Sequence, residues 1–191
     1  MREMDLNRMA GEFRPVNISG RPRILILQKS HVNKKYIILS VVTGVVVMLD
    51  QITKALILDS VPLHHNLTII SGFFNITHIH NPGGAFGLMA HMGETMRTII
   101  FLFISSLAVG LILYFYHKTP STHPFLAVGF ALIFGGAIGN LIDRVRFGIV
   151  VDFLDFYVGN LHWPAFNIAD SAITVGIFIF VFHLLFKKLP P

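Results

Sequence analysis

Four apolar stretches, at about 36–58, 98–116, 125–142 and 167–186, constrain this chain more than any motif in it. Each is close to the roughly 20 residues that a helix needs to cross a hydrocarbon layer of about 30 Å. No water is present there to satisfy a free N–H or C=O, so such stretches must be helical. The totals agree: 53% of residues are hydrophobic, 13% are charged and the mean hydropathy is +0.67, which excludes an ordinary soluble domain. The expected fold class is a membrane all-α protein with four transmembrane helices. The first stretch begins too deep in the chain, runs too long and lacks a small-residue cleavage site, so it reads as a retained span rather than a signal peptide.

Residues 1–35 carry eight of the fifteen Lys and Arg and no sustained apolar period, and read as a basic, mobile N-terminal arm. Residues 36–188 form the membrane domain. Segment 117–124, with Pro120 and Pro124, is a short turn that makes the second and third spans antiparallel neighbours. Two longer connections, 59–97 and 143–166, each follow an odd-numbered span and so share one side. In the first, Leu67–Ile70 and Phe73–His80 read as short strands around Ser71-Gly72, ending at the turn Asn81-Pro82-Gly83-Gly84. A small β element lying on the membrane surface is expected there.

Eleven basic residues (the arm, Lys118, Lys187 and Lys188) fall on one side, against four (Lys54, Arg97, Arg144 and Arg146) at or beyond the other. The positive-inside rule makes the first side cytoplasmic, with both termini inside and both long connections outside. The pI near 9.7 therefore points to anionic membrane lipids, not nucleic acid, since the basic residues flank apolar spans instead of alternating with stacking aromatics. The absence of cysteine rules out disulfides, thiol nucleophiles and thiolate metal sites, leaving oxygen and nitrogen chemistry.

Beyond the arm, the acids are Asp50, Asp59, Glu94, Asp143, Asp152, Asp155 and Asp170, all at or past the outer face. Carboxylates beside apolar spans are costly and point to function. Counting back from Phe186 leaves Asp170 about one turn, ~5 Å, below the outer boundary. Asp50 lies at similar or slightly greater depth, and Asn140 lies just inside the end of the third span. Gly135, Gly136 and Gly139 on that span allow close helix approach, which would hold Asn140, Asp143 and Arg144 against neighbouring helices. Two carboxylates converging in a poorly hydrated site tend to share a proton, and such a pair can hydrolyse an amide. Proton-linked transport by the same acids, a non-enzymatic assembly role and purely structural hydrogen bonding remain open on the residues alone. Asp50 and Lys54, spaced i, i+4, read as an ion pair. Asp143 can pair with Arg144 or with another helix, and Asp155 is expected to be more solvated than Asp152. His78 and His80 share a strand face at a spacing that can bind zinc, but they read as ordinary loop histidines in the absence of a thiolate or a helical His-Glu-x-x-His signature, and no metal site is assigned.

Five blocks in order, Asp50-Gln51-Ile52-Thr53-Lys54, Asn81-Pro82-Gly83-Gly84-Ala85-Phe86, Gly135 to Arg144, Val150-Val151-Asp152-Phe153 and Pro164 to Ser171, resemble signal peptidase II, the bacterial lipoprotein signal peptidase. The resemblance spans about Tyr36 to Lys188. It implies catalytic aspartates at Asp152 and Asp170, with Asn140, Arg144 and Asn167 supporting them. Asn81 and Gly83 then border the substrate, and Asp50 and Lys54 belong to the first-helix motif, in stabilisation or substrate contact. It further implies an aspartic endopeptidase that needs no cofactor and works at the outer face of the inner membrane; the chain is expected to be a monomer. Its substrates are diacylglyceryl-modified prolipoproteins, cut before the modified cysteine. The choice of Asp152 over Asp143 or Asp155 rests on this resemblance alone. Two departures stand out, the long arm and Gly84 where alanine is more usual.

Overall fold

In a helix bundle surrounded by lipid, apolar burial gives little preference for one packing over another, so small residues that let backbones approach set the arrangement. The computed structural model describes residues 23–83 and 93–186, with side chains from Lys34 onward. Residues 1–22 of the expected arm, together with Gly84, His91, Lys187 and Lys188, lie outside the described residues. The element order is α1 (Arg23–Ser60), β1 (Asn66–Ile70), β2 (Phe74–Asn81), α2 (Glu94–Lys118), α3 (Pro124–Phe147), β3 (Val150–Val158), β4 (Leu161–His162) and α4 (Ile168–Phe186). Among the described residues four helical segments are long and apolar enough to cross a membrane: Lys34–Ser60, Glu94–Lys118, Pro124–Phe147 and Ile168–Phe186.

α3 is the interior helix, packed against α1, α2 and α4. Its glycines explain why. A Cβ on Gly135 would meet Val46 of α1 at 2.9 Å, one on Gly136 would run into the Ala169 carbonyl of α4, and one on Gly139 would sit 2.7 Å from Asp50 Oδ2. The same closeness recurs lower in the pair, where Gly129 of α3 faces Ile179 and Gly176 of α4. The outward faces are bare apolar surface, with Phe103, Phe178 and Leu185 exposed. At the end away from the sheet, the buried Lys35 ammonium donates to the Thr119 carbonyl at 2.6 Å and the His117 carbonyl at 3.1 Å, satisfying the C-terminus of α2.

Several boundaries differ from those read in the sequence. α1 begins at Arg23, thirteen residues before the expected span, so the second half of the expected arm continues its helix. α3 runs five residues past 142 and stops at Gly148, which has φ +72° and returns its N–H to the Arg144 carbonyl at 3.0 Å. Asp143 and Arg144 are therefore helical rather than part of a loop. The β element also extends beyond the first connection: it is a four-stranded antiparallel sheet in the order β1-β2-β3-β4, with its second half taken from 143–166. β3 escaped notice because Val150 to Phe153 are all buried, which erases the alternation that marks a half-exposed strand.

Where the sheet meets α1, Ile57, Val61, Val151 and Phe153 form a dry cluster flanked by Ile76, Ile149, Leu154 and Ile168. Against β3, β2 carries a bulge: Ile76 pairs with Leu154 and Ile79 with Asp152, so Thr77 and His78 together oppose Phe153. Two consecutive residues, Thr77 and His78, are buried as a result. From Ile79 onward the register places Asn81 opposite Val150, on the same face as Asp152.

Gly136→Ala should lower stability by about 1–3 kcal/mol through overpacking against α4. Gly110→Ala, where an added Cβ meets nothing within 4 Å, should leave it unchanged. Thermal unfolding of both variants in the same detergent checks this, and equal midpoints would contradict the packing assigned to α3.

Candidate active site

Charges buried at the helix ends near the sheet have little water available, so their partners must come from the chain. Lys54 Nζ lies 2.9 Å from Asp50 Oδ2, 2.7 Å from Asp143 Oδ2 and 3.0 Å from Asn140 Oδ1. Asp50, Lys54 and Asp143 are all at most 2% exposed. The expected Asp50–Lys54 pair is present, with Asp143 as a third member. Asp143 turns toward α1 and not toward adjacent Arg144, because successive helical residues point about 100° apart. Gln51 Nε2 joins the group, 2.9 Å from Asp143 Oδ1 and 3.1 Å from Asp50 Oδ2. The two carboxylates also accept from backbone. Asp50 Oδ1 accepts the Ala169 N–H at 3.0 Å in the first turn of α4, and Asp143 Oδ2 accepts the Val151 N–H at 3.2 Å in β3.

α4 starts with a reciprocal cap. Asn167 Oδ1 accepts the Asp170 N–H at 2.9 Å, and Asp170 Oδ2 accepts the Asn167 N–H at 3.3 Å. This is the capping-box pattern with Asp in the third position, so local helix chemistry helps to orient the Asp170 carboxyl. Its other oxygen accepts from Asn140 Nδ2 on α3 at 2.7 Å.

Asp152 projects from β3 into the same region and is 2% exposed. Its Oδ1 accepts from Asn167 Nδ2 at 2.7 Å, and its Oδ2 accepts from Asn81 Nδ2 at 2.9 Å. Asn167 Nδ2 also reaches Asn140 Oδ1 at 3.2 Å. The two aspartates are thus joined through two amides, in the order Asp152, Asn167, Asn140, Asp170, and Lys54 abuts the chain at Asn140. Burial pushes the Asp152 carboxyl up to about 7; the Asn81 hydrogen bond opposes this, the Asp170 carboxyl adds to it, and Asn167 and Lys54 oppose it. Asp152 can therefore hold a proton near neutral pH, where an exposed carboxylate could not.

Asn81 also shapes the rim of the site. Its Oδ1 accepts the Gly83 N–H at 2.9 Å, closing a turn in which Gly83 has φ +86°. The space a Cβ would need at Gly83 is filled by the Phe101 ring of α2. The Arg144 guanidinium lies 5.8 Å from that ring and donates weakly to the Asn140 carbonyl at 3.5 Å, close enough for Asp170, Asp143 and Asp152 to act on it electrostatically.

All ten residues singled out in the sequence come together here: Asp50, Lys54, Asn81, Gly83, Asn140, Asp143, Arg144, Asp152, Asn167 and Asp170. Asp59 and Glu94 are exposed and stay apart. Asp155 lies in a strand and not in a loop, and at 6% exposed it is only slightly more open than Asp152 at 2%, because β2–β3 pairing sets it against Asn75, whose Nδ2 donates at 2.9 Å, while His162 Nδ1 lies at 2.8 Å. It belongs to the sheet and does not touch the pair. Two contributors had no assigned role. Gln51 could have been noticed from its place between Asp50 and Lys54, whereas Phe101 is one of eighteen Phe and gives no signal. Among the described residues no group of three or more His, Cys, Asp or Glu is arranged to hold a metal.

The family described as signal peptidase (SPase) II matches residues 42–186. A lipoprotein signal peptidase of Desulforapulum autotrophicum is 56% identical over 152 residues, covering 80% of this chain and 94% of that protein. One from Syntrophus aciditrophicus is 46% identical over 156 residues, covering 81% and 97%. A solved structure, described as a bacterial membrane enzyme determined in meso at 1.9 Å resolution, superposes with a TM-score of 0.69 at 34% identity, covering 78% of this chain and 94% of that one.

Removing the ammonium should expose how much depends on it. Lys54→Met leaves Asp50 and Asp143 buried without their cation and should cost about 3–5 kcal/mol. Adding Asp143→Asn should recover part of that loss. A double-mutant cycle by thermal unfolding in detergent measures the coupling, and strictly additive effects would contradict a direct ion pair.

Proposed function

We propose, from the premise that this chain belongs to the signal peptidase II family, that it removes signal peptides from prolipoproteins, with Asp152 and Asp170 as the reacting pair. The substrate bond is the amide before a diacylglyceryl-cysteine. The observation that carries the assignment is the amide-linked pair at the junction of β3 and α4, with one member held at about 7. At neutral pH such a pair keeps one proton between two carboxyls. The ionised carboxylate takes a proton from a water molecule, whose oxygen attacks the scissile carbonyl carbon. The protonated carboxyl gives its proton to the carbonyl oxygen; as the tetrahedral intermediate collapses, the C–N bond breaks, the first carboxyl protonates the departing cysteine amine, and a hydroxyl of the intermediate returns its proton to the second carboxyl.

Asn140 and Asn167 act as positioning residues, holding each carboxyl by one oxygen. Asn81 and the turn at Gly83 border the substrate, and Asp50, Lys54 and Asp143 fasten the helices beneath. Both aspartates come from one chain, which suits a monomer. The excess of Lys and Arg on the opposite side favours cytoplasmic termini, placing the site at the outer face of the bacterial inner membrane. A signal helix lying in the bilayer would then present its end at the depth of Asp170.

Asp152→Asn and Asp170→Asn should each reduce cleavage of a diacylglyceryl-modified precursor in detergent by at least a thousandfold while the protein still inserts in membranes. Full cleavage by both variants would reject the pair, and acid-dependent ion flux in liposomes without cleavage would favour a carrier instead. The kcat/KM profile should be bell-shaped. Asp152 is protonated below about 7 and ionised above it, so the descending limb should begin near pH 7 as the shared proton is lost. A rate still rising through pH 9 would contradict a shared proton.

A further inference from the structure

The outer sheet brings together two imidazoles that the proposed reaction does not use. His78 is buried, and its Nδ1 lies 2.7 Å from the Val61 carbonyl. A carbonyl can only accept, so this nitrogen carries the ring proton and leaves Nε2 with a free lone pair. That Nε2 lies 3.0 Å from Nε2 of His80, which is exposed. The ring centroids are 4.9 Å apart and the planes are inclined at 65°. Strand alternation puts both rings on the face of β2 opposite Asn81, away from Asp152.

The spacing suits a chelate. Two imidazole nitrogens bound at 2.0–2.1 Å to a tetrahedral zinc ion are about 3.3 Å apart, a few tenths of an ångström from the separation seen here. The hydrogen bond from His78 Nδ1 to a backbone carbonyl is also the kind of outer contact that fixes the tautomer of a metal-bearing histidine and raises its basicity. We propose that His78 and His80 form a two-histidine site for a divalent ion such as zinc, with both Nε2 atoms as ligands and water in the remaining positions. On binding, His80 loses its proton from Nε2 and gains one at Nδ1, with no net proton release. The site does not depend on the reaction assigned to Asp152 and Asp170, and the ion takes no part in it.

The test uses full-length protein in detergent, free of any histidine tag, stripped with a chelator and titrated calorimetrically with zinc chloride. One equivalent should bind in the tightest class of sites. His80→Ala should weaken that class at least tenfold while leaving cleavage of a lipidated precursor unchanged. His65→Ala, an exposed control in the same connection, should bind as the parent does. Because His78 is buried and its replacement can unfold the sheet, the exposed His80 carries the test. Unchanged zinc affinity in His80→Ala, or no binding by the parent protein up to millimolar zinc, would reduce the pair to a hydrogen bond and overturn the site.

Discussion

The Lys54 ammonium is the charge on which the sheet end of the bundle depends. It is buried among two carboxylates and an amide, and the two carboxylates also accept from the backbone of α4 and β3. An ion pair in such a setting gains little net stability, because desolvating three charges offsets most of their attraction. It does confer position. Asp50 terminates α4 from α1, and Asp143 terminates β3 from α3, so the start of the last helix and the start of the third strand are fixed by the same three residues.

The aspartates inherit that order. Asp170 faces its site because the first turn of α4 is capped by Asn167, and α4 begins where it does in part because Asp50 accepts from Ala169. Asp152 faces the same site because β3 leaves α3 at a left-handed glycine and is held at Val151 by Asp143. Asn140 and Asn167 then connect the carboxyls through neutral donors, which orient the pair without adding a cation that would strip its proton. The two carboxyls thus rest on a charged layer in which one ammonium meets two carboxylates.

Much of this was legible in the sequence, for identifiable reasons. The spans follow from the solvent, and the gathering of acids at one end follows from counting them against that frame. Which acid partners Asp170 did not follow from spacing, since Asp143, Asp152 and Asp155 all lie within the same connection; the resemblance singled out Asp152. The neighbours differ for reasons invisible locally: Asp143 is consumed by Lys54, 89 residues away in sequence, and Asp155 by Asn75 across the sheet. β3 was hidden because burial on both faces removes periodicity. Phe101 fills the space beside Gly83 that a side chain would need, and nothing in the one-dimensional pattern marks such a role.

The bulge at Thr77 and His78 has a consequence for the lengths this segment can adopt. Side chains in a strand alternate with a period of two, and the extra residue has already inverted the phase between Ile76 and Ile79. A further gain or loss of one residue before Asn81 would return its amide to the far face and abandon Asp152, whereas a change of two would preserve the contact. Variation here is therefore governed by parity: the stretch tolerates even steps in length and is intolerant of odd ones.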